Sequence, residues 1–497
     1  LHEGSAWREQ FSHEVCEAGE GGQAVSVVLV ILDCVRPDHV GCYGYQRGTT
    51  PNLDAFAATA TRFDNAITAG VWTLPSMASM MTSLHPSQHG LNRADRALGR
   101  DLVTLPQRLA GAGWRTAGFT ANPHGGRTFE LDRGFQEFHE FWGVPGTDHG
   151  GPLGRCYRWA RPRLRDAVKR SQALTATARR LQRRRAEATG GSGSRLADAA
   201  AAWIRQACNG GQPFFALVHL MESHVPYAPA PEHVERFLDQ AGRRRVAKLD
   251  HDGMGYLAGA NPLSEGDLAL IGSLYDATIS YGDELVGRVL DAVGDDADTL
   301  VAITADHGQQ LGEHRMMGHF FSVYDTLARV PLVLRHPELP AGVVKRPVQS
   351  VDLYPTVLEA AGLEPEPGEL CAVSLRARSD HRPVLVTEYL EPDLTRFARF
   401  RGFDPAPFNR ELRALRRDGW KYIWSSDGRE ELYDLTSDPG ETRDLALATV
   451  GAERLRDFRL LHEEWQAEMK RYAAGERAEV ALEGDVAASL RALGYFD

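Results

Sequence analysis

The segment Val25-Ser26-Val27-Val28-Leu29-Val30-Ile31-Leu32 is almost unbroken in apolar character and ends at Asp33. A β-branched run of this length, with no polar alternation, reads as a strand buried on both faces of a parallel sheet. Similar runs recur at 115–119, 213–219 and 299–304. Between them, 104–112 and 267–293 carry apolar residues at helical spacing. Strands alternating with helices predict an α/β fold: a large, mostly parallel sheet in an α/β/α sandwich. In such sheets ligands collect beyond the carboxyl ends of the strands. Asp33 and Asp306 each follow a predicted strand, which places two distant acidic residues at one sheet edge. Taken singly, either aspartate also suits a turn cap.

From about residue 382 the pattern changes to short strands and turns, followed by a closing helix. Lys421-Tyr422-Ile423-Trp424 and Glu431-Leu432-Tyr433-Asp434-Leu435 flank a Ser-Asp-Gly turn and predict a hairpin. The expected organisation is a polar tail over 1–22, a main α/β domain over 23–380 and a small C-terminal α+β subdomain over 381–497. Within the main domain, 155–195 is arginine-rich and ends in Gly190-Gly191-Ser192-Gly193-Ser194, a flexible linker by composition. That insertion reads either as a basic lid that draws in anions or as a solvated helical excursion.

Composition narrows the class. The chain has 497 residues, 43% apolar and 25% charged, as in ordinary globular proteins. A net charge of −11 argues against a general nucleic-acid binder. No apolar run approaches the ~20 residues that would cross a bilayer. Six scattered cysteines without a CxxC pair are neither a disulfide framework nor a zinc ribbon, and suit the reduced cytoplasm. The tail lacks the basic-then-apolar order of a signal peptide, although a removed one would leave no trace.

Esters of phosphate and sulfate resist attack because their oxygens repel a nucleophile. A divalent cation lowers the nucleophile's pKa and neutralises charge on the transferred group. It requires oxygen or imidazole ligands, and Asp33, Thr73, Asp306 and His307 could supply them. The wording around these residues is specific. Leu32-Asp33-Cys34-Val35-Arg36-Pro37-Asp38-His39-Val40-Gly41 opens the chain's first loop, and Thr50-Pro51-Asn52-Leu53-Asp54 follows. Trp72-Thr73-Leu74-Pro75-Ser76-Met77-Ala78-Ser79 begins a helical stretch. Ile303-Thr304-Ala305-Asp306-His307-Gly308, Val351-Asp352-Leu353-Tyr354-Pro355-Thr356 and Asp438-Pro439-Gly440-Glu441 come later. In that order, from about residue 25 to the C-terminus, these segments resemble the sulfatase branch of the alkaline phosphatase superfamily.

The resemblance implies that Asp33, Thr73, Asp306 and His307 bind one divalent metal ion (Mn, Zn, Ca or Mg) and that Thr73 is the covalent nucleophile. It further implies that His224 contacts the anion or leaving group, acting as a charged imidazole, and that His319 faces the transferred group. Asn122 becomes a candidate substrate contact, whereas His219 reads as the end of a core strand. Three departures stand out. Cys34 replaces an acidic metal ligand of many sulfatases, which favours a softer ion than calcium. Met77 replaces an arginine that supports formylglycine. Thr73 replaces the cysteine or serine from which formylglycine is made. Cys34 and Met77 are accordingly placed beside the substrate, and no formylglycine is expected.

A threonine has no second hydroxyl with which to expel a sulfate by collapse to an aldehyde. Its covalent adduct must be cleared by attack at the central atom, which a phosphorylated threonine permits more readily. The expectation is therefore a metal-dependent hydrolase of phosphodiesters or phosphonate monoesters, acting on a small anionic ester. Alternatives are a sulfuric ester hydrolase, a phosphoryl transferase to an acceptor alcohol, and an inactive binding homologue. Homo-oligomerisation stays open.

Overall fold

The computed structural model describes residues 25–142, 192–294, 298–364, 372–377 and 384–470, with isolated positions between and beyond these spans. The tail at 1–22 and nearly all of the insertion at 155–195 lie outside the described residues. Among the described residues no helix is long and apolar enough to cross a membrane.

Strand β1 (Ser26–Leu32) occupies the middle of a nine-stranded sheet. Its neighbours on one side are β5 (Phe214–Leu220), β3 (Arg115–Thr120) and β4 (Glu137–Glu140). On the other side lie β6 (Thr299–Ala305), β10 (Leu332–Arg335), β2 (Thr61–Ile67) and β11 (Gly342–Gln349), with β9 (Arg329–Val330) also paired to β2. Strands β6, β1, β5, β3 and β4 run parallel. Val27 to Ile31 are fully buried, as expected of a strand covered on both faces. The alkaline-phosphatase-like α/β class read from the sequence is the fold observed. The sheet is mixed because the chain leaves β6 at its carboxyl end and re-enters the sheet from that same end. Strand β10 consequently runs antiparallel to β6 and β2. The intervening excursion contains the small ribbon β7 (Gln310–Leu311) and β8 (Met317–Gly318).

Register fixes the functional edge. Leu32 pairs with both Leu220 and Ala305, so Asp33 and Asp306 emerge in the same row, one residue beyond the ladder. Ile31 and Thr120 both align with His219, which sets a third titratable side chain two residues behind that row, at the same end of the sheet.

One sequence reading is corrected. The glycine–serine linker is helical from Ser192, the start of Ser192–Cys208. A Cβ on Gly193 would lie 1.6 Å from Glu222 Oε1, so glycine here lets the helix approach closely rather than confer flexibility. Ser194 Oγ accepts from Arg288 Nη1 at 2.8 Å, tying that first turn to helix Glu265–Val293.

A second, antiparallel sheet comprises β12 (Leu385–Tyr389), β13 (Leu412–Arg417), β14 (Trp420–Ser425) and β15 (Glu430–Asp434). The predicted hairpin is β14–β15, with Tyr422 opposite Leu432. Helix Ala452–Met469 covers one face through Phe458, Leu461 and Trp465. The other face joins the main apolar cluster through Leu412, Ala414, Ile423 and Tyr433, and a polar network adds to it. Lys421, fully buried, pairs with Asp325 at 2.8 Å and Glu441 at 2.6 Å and donates to the carbonyl of Val323. This network fastens the small sheet to the excursion that follows β6.

Removing Lys421 leaves the buried carboxylate of Glu441 without a countercharge, whereas Asp325 keeps Arg416. Lys421→Met is expected to lower stability by about 3–5 kcal/mol in urea unfolding; a loss below ~1 kcal/mol would show the network to be dispensable. The imidazole of His462 is pushed down to about 4 by burial and by the nearby Arg413. An unfolded histidine titrates near ~6.5, so between those values the unfolded chain holds more protons and stability falls as pH drops. His462→Gln is expected to flatten that part of the curve, and an unchanged slope would exclude the assignment.

Candidate active site

Thr73 is the first residue of helix Thr73–Thr82. Its hydroxyl therefore sits among unpaired backbone N–H groups and in the positive end of the helix field, where developing negative charge is favoured. Ser76, one turn on, donates from Oγ to the carbonyl of Asp306 at 2.6 Å and meets Thr68 Oγ1 at 2.9 Å. Those contacts lock the helix end against the end of β6.

The residues gathered there are buried and closely set. Thr73 Oγ1 lies 3.4 Å from His307 Nε2 and accepts from Asn122 Nδ2 at 3.2 Å. The same amide donates to Asp33 Oδ2. His307 Nε2 is 3.4 Å from Asp306 Oδ2 and 3.9 Å from Asp33 Oδ1. His219 Nε2 is 3.6 Å from Asp33 Oδ2 and 4.0 Å from Asp306 Oδ2. Asp306 Oδ1 accepts the backbone N–H groups of His307 at 2.8 Å and Cys34 at 3.2 Å.

Hydrogen bonding assigns the imidazole protons. His307 Nδ1 is 2.8 Å from the carbonyl of Gly308, which can only accept, so Nδ1 carries the proton. Thr120 Oγ1 donates to the carbonyl of Asn122 and so serves as acceptor for His219 Nδ1, 3.2 Å away. Both histidines then turn an Nε2 lone pair toward the two carboxylates. Asp33 Oδ1, Asp306 Oδ2 and His219 Nε2 have no hydrogen-bond partner among the described residues. Acceptors converging in a dry space repel one another unless a cation lies between them. The donor set fits a divalent ion, and its mixture of oxygen and nitrogen suits Zn²⁺ or Mn²⁺ better than Ca²⁺. Burial and the charge of Asp33 push the Asp306 carboxyl upward, while Asp33, despite its own burial, is held low by His219 and the neighbouring imidazoles.

The remaining residues singled out from the sequence form a second rim or leave the site. His224 and His319 rings are 4.9 Å apart, and those of His319 and His307 4.7 Å. Burial pushes the pKa of both His224 and His319 down, so before an anion binds, the charged imidazole expected at His224 is disfavoured. Cys34 Sγ lies 3.7 Å from His319 Nδ1. The amide of Asn122, a candidate substrate contact, bridges Asp33 and Thr73, and its Oδ1 accepts from the His124 backbone at 2.9 Å. Met77 is fully buried in the main apolar cluster and contributes packing.

Three residues at the site were not legible as such. His219 looked like the end of a core strand; it is the penultimate residue of β5, and the register brings that position to the site. His124 is buried beside Trp72, with ring centres 5.4 Å apart. Arg396 comes from the short helix Leu394–Phe397 of the C-terminal part and places its guanidinium 3.7 Å from the Phe320 ring centre. After burial, the charge of Arg396 is the largest influence holding the His124 imidazole down, and it acts on His224 and His319 too. Nothing in the local sequence marks an isolated arginine of this kind.

A family model described as Sulfatase matches residues 26–363, more than half of the chain. The chain belongs to the sulfatase family. It is 26% identical to the uncharacterized sulfatase YidJ of Escherichia coli (strain K12), over 84% of this chain and 82% of that protein. It is 22% identical to an N-acetylglucosamine-6-O-sulfatase of Bacteroides thetaiotaomicron, over 93% and 89% of the two chains. Among solved structures, the phosphonate monoester hydrolase of Agrobacterium radiobacter superposes with a TM-score of 0.67 at 20% identity, covering 90% of this chain and 96% of that one. A 2-O GAG sulfatase, BT1596, gives 0.64 at 20% identity, covering 95% and 96%. The family match makes this a sulfatase-family hydrolase, and the solved structures share its fold.

Asp306→Asn is expected to abolish retention of a divalent ion by dialysed protein, measured by mass spectrometry of the metal, with circular dichroism unchanged. His219→Phe is expected to weaken retention on the order of 10–100-fold. Full affinity in the His219 variant would return that residue to a purely structural role.

Proposed function

We propose that this sulfatase-family protein hydrolyses phosphodiesters or phosphonate monoesters through a covalent adduct on Thr73. The observation that carries the reading is the placement of the Thr73 hydroxyl: at a helix N-terminus, hydrogen-bonded by Asn122 and 3.4 Å from His307 Nε2, beside two buried carboxylates. Asp33, Asp306, His307 and His219 would hold the cation, with Thr73 adjoining. Once bound, that ion supplies Lewis acidity, lowering the pKa of the attacking hydroxyl and offsetting charge on the transferred group.

The chain's own groups do the rest. Asn122 keeps Thr73 Oγ1 in place, and the helix N-terminus favours its anionic form. Attack forms a bond from Thr73 Oγ1 to phosphorus and breaks the ester bond, and the departing oxygen takes up a proton. His224 is suited to deliver that proton, because its pKa, lowered by burial, rises when an anion enters beside it. Water then attacks phosphorus, the Thr73–phosphorus bond breaks, and a proton returns to the threonine. A sulfated threonine lacks the neighbouring hydroxyl that would let it collapse, which disfavours sulfate esters. The family match keeps sulfuric ester hydrolysis as the second reading.

Rapid acid quench of the protein with an aryl phosphonate or phosphodiester is expected to yield a phosphorylated or phosphonylated peptide containing Thr73. Thr73→Ala is expected to lower kcat by about 10⁴-fold or more while the protein stays folded. Faster turnover of an aryl sulfate than of the matched phosphodiester would transfer the assignment to sulfate chemistry. Substantial activity in Thr73→Ala would remove Thr73 as nucleophile.

A further inference from the structure

Arg396 brings a permanent positive charge to a rim of imidazoles and aromatic rings. It belongs to the C-terminal part of the chain, in the short helix Leu394–Phe397, and its side chain is buried. The guanidinium lies 3.7 Å from the centre of the Phe320 ring, which is itself 4.3 Å from the ring of His319. Its charge acts on the imidazoles of His124, His224 and His319, which puts it on the side of the proposed proton donor, His224.

The segment that carries this arginine is held from three directions. Asp393 Oδ1 accepts from the N–H of Thr395 at 3.0 Å and from its hydroxyl at 2.6 Å, which caps the short helix. Phe397 stacks on Phe321 with ring centres 5.4 Å apart and lies 5.0 Å from Phe403 and 5.2 Å from Phe408. Arg399 pairs with Asp252, the N-cap of helix Gly253–Leu257. A Cβ on Gly253 would lie 2.7 Å from the carbonyl oxygen of Met317, so that helix rests against the strand leading into His319. The wall bearing Arg396 is thereby tied to the wall bearing His319. A guanidinium placed in advance loses little freedom when it binds, and its planar fork matches a carboxylate.

We propose that Arg396 determines specificity by holding a carboxylate on the alcohol portion of the substrate, so that the preferred esters carry a second negative charge beyond the transferred group. The charge balance supports this. Asp33 and Asp306 offset a divalent ion, and the single charge of a transferred diester group is met by that ion and by the helix N-terminus at Thr73. Arg396 adds a further cation on the side where the alcohol departs. Contact with the face of Phe320 steadies the guanidinium but leaves its charge in place. A neutral alcohol would leave that desolvated charge without an answering group, whereas a carboxylate supplies one. The proposal deepens the Thr73 reading by naming a substrate class, and it rests on that reading for the side from which the alcohol leaves.

The test uses the full chain loaded with Mn²⁺ and a set of benzylphosphonates, whose carbon–phosphorus bond leaves no ester to break. Each carries a meta or para carboxylate, or the matching carboxamide. Calorimetric titration of the native protein is expected to show one carboxylate isomer bound at least about 10-fold more tightly than its carboxamide. Arg396→Met keeps a stem against Phe320 and is expected to bring that ratio to within about 2-fold, with thermal unfolding confirming that the variant is folded. Arg396→Lys keeps the charge without the fork; an intermediate ratio is expected, and it decides the matter if Arg396→Met does not fold. A native ratio near one, or a ratio that persists in the folded variants because both probes weaken alike, overturns the proposal. The ratio is read without turnover, so its failure leaves the trapping of a Thr73 adduct as a separate result.

Discussion

Two carboxylates and two imidazole lone pairs, all acceptors, meet in a water-poor space at the end of β1 and β6. That arrangement is costly unless positive charge or a shared proton lies between the carboxylates, and a divalent ion of the kind proposed here would meet that cost. The cost of desolvating Asp33 and Asp306 is returned only when a positive charge enters, so affinity for the ion is stored in the burial itself. Each surrounding hydrogen bond serves the same end. Asn122 aims Asp33, two backbone N–H groups occupy one oxygen of Asp306, and carbonyl or hydroxyl acceptors fix both histidine tautomers.

The fold supplies this geometry through alignment rather than through local motifs. Parallel pairing of β1 with β5 and β6 sets Asp33, His219 and Asp306 along one edge without any loop having to find them. The threonine arrives by a different route, on a helix pinned by Ser76 to the carbonyl of Asp306. A sub-ångström error in that contact would move the hydroxyl relative to His307, which is why a second-row serine matters to first-row geometry.

Much of this was legible in advance, for identifiable reasons. The fully apolar strands could be read because burial on both faces leaves no ambiguity of period. Asp33, Asp306, His307 and Thr73 could be read because the order of motifs constrained them together. His219 escaped because a polar residue at a strand end has an ordinary explanation, and only the three-strand register reveals its company. Arg396 and His124 escaped because long-range packing, not spacing, brings them in. The end of the linker at 192–194 was misread because composition reports flexibility, whereas Gly193 lets two surfaces touch. The bridge that Asn122 makes between Asp33 and Thr73 was not legible, because it depends on two segments far away in the chain.

The arginine contributed by Leu394–Phe397 has an implication for how the molecule is made. During synthesis the acidic floor of the cleft is complete once residue 307 has emerged, while its guanidinium wall is still untranslated. The nascent chain thus passes through an interval in which cation-attracting groups exist without the fixed positive charge that later crowns them. The carboxylate cluster and the guanidinium that bears on the imidazoles beside it are in this sense separated in time along the polypeptide, the first belonging to the early two-thirds and the second to the last.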